Sequence, residues 1–234
     1  MKNLTYLLLT LLITGSFTAC SDEDDSNGDN NSGNNSQCPD NVTEIVDVTN
    51  PITGRTWMDR NLGASRAATS SSDTESYGFL YQWGRCADGH QIPTSSTTSS
   101  TSENDQAASG DFILGNQDLD WREPQNDNLW QGALGNNNPC PSGYRLPTAA
   151  ELDAERESWI SNDANGAFAS PLKLPAPGFR DASDATLYNE GFWGDYWSSS
   201  IDGSFAKSLF FDGSSSQIET SGRSAGYCIR CIKD

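Results

Sequence analysis

Cys228 and Cys231 stand three residues apart in the closing stretch YCIRCIKD. C-x-x-C spacing serves thiol–disulfide exchange and zinc ligation. Exchange pairs open a helix, whose N-terminus lowers the thiol pKa, whereas here only three residues follow Cys231. Zinc needs four ligands, and the sequence holds no second C-x-x-C. Read as a strand, the stretch puts Tyr227, Ile229 and Cys231 on one face and Cys228, Arg230 and Ile232 on the other. Two cysteines on opposite faces of a strand do not easily bond each other. The expectation is therefore a pair of separate structural disulfides, with a redox or metal pair and a free thiol as alternatives. Beyond Cys20 the cysteines are Cys38, Cys86, Cys140, Cys228 and Cys231, an odd set that leaves at least one without an internal partner.

A second chemical cluster is DWREPQNDNLWQG, residues 120–132. It sets Trp121 and Trp130 around Glu123, Asn126, Asp127 and Asn128. Aromatic faces stack on sugar rings, and amide and carboxylate side chains bond hydroxyls or hold calcium. These six residues are the expected ligand-binding set, with calcium a possible companion and no other cofactor indicated. The alternative is a loop pinned to the fold by two buried tryptophans. His90 is the only histidine, so a Ser-His-Asp or histidine–metal mechanism would have to use it. Its setting, Ala87-Asp88-Gly89-His90, is turn-like and reads as structural. No spacing singles out a carboxylate pair for glycoside hydrolysis, and no catalytic residue is assigned.

The elements that position these groups read as α+β. Thr43 to Val48 alternates polar and apolar as a strand does, Asn50 to Gly54 is a turn, and Arg55 to Met58 is the returning strand. Tyr77 to Trp83 is aromatic and leaves helix and strand both open. From Cys86 to Asn138 the chain is mostly Gly, Ser, Thr, Asn and Asp, including nine hydroxyl residues in a row from Thr94 to Ser102. One helix is clear. Thr148 caps it and Glu151 reaches back in a capping box, with Leu152 and Trp159 on one face. Asn165-Gly166 reads as lying past its end. The last third alternates strands with Gly/Ser turns: Tyr196 to Ser200, Ala206 to Phe211, Gln217 to Thr220 and Tyr227 to Ile232. This is the pattern of an antiparallel meander.

The N-terminus addresses location. Lys2, an apolar run from Leu4 to Ile13 and a small-residue stretch ending at Ala19-Cys20 describe an export signal. Phe17-Thr18-Ala19-Cys20 resembles a bacterial lipobox, so residues 1–19 are read as a lipoprotein signal peptide with lipidation at Cys20. Residues 21–36 carry no apolar side chain, and five of the sixteen are acidic. Such a segment cannot bury enough surface to offset its ordering entropy, so residues 20–37 are read as a lipidated tether. Asp22 to Asp25 resembles the surface-export signal of some outer-membrane lipoproteins. The expected location is the bacterial outer membrane, lipid-anchored and facing outward. Residues 38–234 carry 27 acidic and 13 basic side chains, a formal charge of −14. That balance argues against nucleic acid and anionic lipid as partners.

TWMDRNLGA (56–64), YGFLYQWGRCADGH (77–90), NDNLWQG (126–132), NPCPSGYRLPTAAEL (138–152), YWSSS (196–200) and IRCIKD (229–234) together resemble the Fibrobacter succinogenes major paralogous domain, found in exported proteins and lipoproteins. The resemblance spans nearly all of residues 42–234. It implies a C-type-lectin-like fold for residues 38–234, with long irregular loops and disulfide staples. The family's usual cysteines match Cys140 and Cys231, which implies that these two pair. Cys86 with Cys228 is then the simplest second bridge, with Cys38 unassigned. The resemblance brings no common chemistry. YRLPTAAELDAE is also similar to a stretch of formylglycine-generating oxidases, which would make Cys228 or Cys231 a reactive thiol. The preferred reading is a non-enzymatic surface module that binds carbohydrate or another extracellular polymer. A thiol oxidase and a structural surface protein are the rivals.

Overall fold

The computed structural model describes Cys38, residues 43–116 and residues 119–234. Cys20 and the segments read as signal peptide and tether lie outside the described residues. In chain order the strands are β1 (Asp47–Thr49), β2 (Thr56–Met58), β3 (Tyr81–Gln82), β4 (Thr97–Thr98), β5 (Phe112–Ile113) and β6 (Tyr144–Arg145). The helices α1 (Ala149–Glu157) and α2 (Ala164–Ala169) come next. The remaining strands are β7 (Phe179–Arg180), β8 (Leu187–Tyr188), β9 (Gly194–Asp202), β10 (Phe205–Phe211), β11 (Ser216–Ser221), β12 (Gly226–Tyr227) and β13 (Ile232–Lys233). Among the described residues the class is α+β, mostly antiparallel, with two α-helices and two disulfides.

Both ends of the described chain meet in one sheet of order β1-β2-β13-β6. The β1–β2 hairpin turns at Asn50, whose Oδ1 accepts from the Ile52 amide. Its strand is shorter than the alternation predicts, because Thr43 to Val46 pair with no ladder. The expected meander is present as the sheet β11-β10-β9. Its pairs Asp195↔Phe210 and Trp197↔Ser208 place Asp195, Trp197, Ser208 and Phe210 on one face, while Tyr196, Leu209 and Phe211 take the other. Each face feeds its own core. Trp197 joins Trp83, Trp121 and Trp130. Tyr196, Leu209 and Phe211 join Trp57, Leu152 and Trp159.

Helix α1 begins where the capping box predicts: Thr148 Oγ1 accepts from the Glu151 amide, and the Glu151 carboxylate accepts from the Thr148 amide. Arg145 pairs with the same carboxylate and holds its pKa down at about 2, against the opposing effect of burial. Asn165-Gly166 lies past the end of α1, as expected, and within α2, whose cap Asp163 accepts from the Gly166 amide. One expectation needs correction: the terminal segment is not one strand. It is interrupted between β12 and β13, where the buried Arg230 donates to Asn61 Oδ1 and to the Met58 and Leu172 carbonyls.

The disulfides are Cys140–Cys231, as the resemblance implies, and Cys38–Cys86. The proposed Cys86–Cys228 bridge is not formed. Cys86 sits in the loop region, beside Asn137 and Gln106. Cys228 lies in the other core, where its thiol donates to the Tyr77 carbonyl at 3.3 Å.

Candidate functional site

The 120–132 stretch is pinned to the fold by its own contacts, and its two tryptophans are enclosed by them. Trp121 is 1% exposed and donates its indole N–H to the Trp83 carbonyl, while Trp130 is 0% exposed and packs on the Trp83 ring at 5.7 Å. Arg223, itself buried, lies over the Trp83 ring and donates to Asp127 Oδ1 at 2.6 Å. Asn126 donates to Asp105, and its Oδ1 accepts from the Asn128 amide. Glu123, Asp127 and Asn128 are exposed, and Asn126 is half-buried. The expected sugar platform is therefore a pinned loop, and Trp121 and Trp130 are core. Asp127 is paired with Arg223, and among the described residues no group of three or more His, Cys, Asp and Glu is placed to hold a metal.

His90 is structural. It is fully buried, its Nδ1 lies 2.6 Å from Asp88 Oδ1, and its Nε2 accepts from the Gln82 amide. Burial holds its pKa down at about 4, so it is neutral. Cys228 is inert by the same physics: burial pushes its thiol far above the usual range, and the thiolate is the reactive form.

Aromatic surface is instead concentrated on the β7–β8 hairpin and the turn that leads into β9. The Phe179 ring lies 5.7 Å from Tyr188, 6.0 Å from Trp193 in a stacked arrangement and 6.2 Å from Tyr227. Trp193 meets Phe210 edge-on at 5.3 Å. Tyr188 is 42% exposed, while Phe179, Trp193 and Phe210 are half-buried. The row is anchored inward by Tyr227, which stacks on the buried Trp197 at 4.4 Å. Phe192, beside the row, is 71% exposed.

Local sequence explains the row. At Gly178 (φ +68) an added Cβ would lie 2.1 Å from the Tyr188 carbonyl oxygen, so only glycine lets the hairpin strands close beneath the rings. The Phe192 and Trp193 amides both donate to the Asn189 carbonyl, and the Gly178 amide donates to the Trp193 carbonyl. The signal that could have found this surface is LYNEGFWGDYW, residues 187–197, five aromatics in eleven residues mixed with Asn, Glu and Gly.

Beneath the row lies an unusual carboxyl. Asp195 is 2% exposed and its Oδ2 has no hydrogen-bond partner. Burial, and then the charge of Glu219 on the same sheet face, push its pKa well upward. A folded pKa raised above the unfolded one contributes stability that is full below about pH 3.9 and is lost as pH rises through the folded value. Asp195→Asn is therefore expected to stabilise the domain at pH 7 by about 1–3 kcal/mol, the usual cost of an unsatisfied buried polar group. The gain should shrink toward pH 3.5. Chemical denaturation at the two pH values checks this, and an unchanged or lowered stability at pH 7 contradicts it.

Hydroxyl groups line a second surface. Part of the Thr94–Ser102 run, with Glu103, Asn104 and Ser109, borders a cavity of about 260 Å³. Among the described residues no helix is long and apolar enough to cross a membrane. No family model, curated protein or solved structure matches the chain.

Proposed function

We propose that this protein is a carbohydrate-binding module displayed on the bacterial outer membrane through lipid on Cys20, with residues 20–37 as its tether. The observation that carries the binding reading is the aromatic row Tyr188–Phe179–Trp193–Phe210, a partly exposed strip of rings held by packing and backbone bonds. Aromatic faces of this kind stack on the C–H faces of sugar rings, and rigid rings bind with little loss of conformational freedom. The acidic surface favours an uncharged polymer over nucleic acid or anionic lipid. The C-type-lectin-like fold and membership of the Fibrobacter succinogenes major paralogous domain family belong to the same proposal. They are supported by the motif series from TWMDRNLGA to IRCIKD and by the Cys140–Cys231 bridge.

The thiol-oxidase reading has little support, because Cys231 is bridged and Cys228 is buried with a raised pKa. Affinity electrophoresis through neutral polysaccharides tests the binding reading. Retardation of the wild-type protein, lost in Tyr188→Ala and Trp193→Ala variants that keep their circular dichroism, is the expected result. Equal migration of the wild-type protein in every polysaccharide would leave a structural surface protein as the better account.

A further inference from the structure

We propose that the cavity beside Phe192 binds a single neutral pyranose unit, an end or branch sugar of the polymer that lies along the aromatic row. This rests on the carbohydrate reading above and adds a second, more selective site to it. The cavity measures about 510 Å³ and is lined by Ser72, Thr74, Tyr77, Glu190, Gly191 and Phe192. That size falls within the roughly 300–1,000 Å³ of small-molecule sites.

Its walls divide the work a pyranose requires. The Phe192 ring, 71% exposed, offers an apolar face for the sugar's C–H surface. Ser72 and Thr74 bring hydroxyls that donate or accept, Tyr77 brings a phenol, and Glu190 is an acceptor for sugar hydroxyls. Burial, helped by the charge of Glu190, raises the Tyr77 pKa and keeps the phenol a donor. Gly191 keeps the cavity open: at its φ of +82, an added Cβ would stand 3.4 Å from the Tyr77 hydroxyl and 3.7 Å from Ser72 Cβ.

Both walls are fixed in advance. On one side Asp73, against the Ser72 and Thr74 positions, is gripped by Arg66 and by the amide and hydroxyl of Thr69. On the other, the Gly191 amide donates to the Ala176 carbonyl at 2.8 Å. Glu190 is the only charged lining residue, and the domain around it is strongly acidic. A uronate would meet like charge in the cavity, which sets the specificity against it.

Titration calorimetry of the full-length protein with cellohexaose, mannohexaose, a chitosan hexamer and hexagalacturonate tests this. A neutral hexasaccharide is expected to bind and hexagalacturonate is not. Phe192→Ala should weaken neutral binding roughly tenfold, the upper range for one aromatic contact. Glu190→Lys should weaken neutral binding and admit hexagalacturonate. Both side chains are exposed, so melting temperatures should stay at the wild-type value. Wild-type affinity in both variants, with loss in Trp193→Ala, would overturn the cavity and leave the row standing. Binding of the chitosan hexamer alone would overturn the neutral assignment. No binding of any sugar by the wild-type protein would overturn both readings.

Discussion

Trp121→Ala and Trp130→Ala are expected to unfold the domain rather than to strip it of a ligand. Each should cost about 3–5 kcal/mol, the range for removing a large aromatic from a core. Trp121 is 1% exposed and Trp130 0% exposed, and both belong to the core that also holds Trp83 and Trp197. Trp121 also loses a hydrogen bond to the Trp83 carbonyl, leaving a buried acceptor short of a partner. Tyr188→Ala is the control, since a 42% exposed ring at a strand end should cost about 1 kcal/mol or less. Urea denaturation of the three variants separates the cases. Near-wild-type stability of both tryptophan variants would return these residues to the surface, and with them the 120–132 platform.

The second large effect concerns the Cys140–Cys231 bridge, which closes a sequence separation of 91 residues. Its removal in Cys140→Ser is expected to cost about 2–5 kcal/mol, because the unfolded chain regains the entropy of the opened loop. The cost also has a native-state side, since Cys231 leads into β13, which holds β2 and β6 together. Peptide mapping of the oxidised protein should yield 140–231 and 38–86 bridges, with Cys228 alkylated only after denaturation. A 228–231 bridge, or a Cys228 that reacts in the native protein, would contradict both the pairing and the inertness assigned to this thiol.

Local chemistry was legible wherever its partners lie close in sequence. The capping box of Thr148 and Glu151 fixed the start of α1, because a helix N-terminus is closed within one turn. Alternation fixed the meander Gly194–Ser221, because adjacent antiparallel strands need only short turns between them. That Cys228 and Cys231 do not bond each other was also legible, but the expected second disulfide at Cys228 was not formed and that thiol is free. Composition alone yielded the acidic charge.

Tertiary structure decided what depends on distant partners. Whether a tryptophan stacks on a ligand or fills a core is set by what covers it, and Trp121 and Trp130 are covered by Trp83, a residue about 40 positions away. The same holds for Asp127. Its carboxylate reads as a ligand to hydroxyls or calcium until Arg223, 96 residues on, is seen to occupy it. Cys86 bonds Cys38 rather than Cys228, because the loop that carries Cys86 is brought to the N-terminal cysteine while Cys228 is enclosed among Trp57, Tyr196 and Leu209, and no sequence spacing reports such long-range neighbours. The aromatic row escaped notice for the converse reason. Phe179, Tyr188 and Phe210 come from three separate strands and Trp193 from a turn, and only the closure of the hairpin over Gly178 brings their rings into one surface.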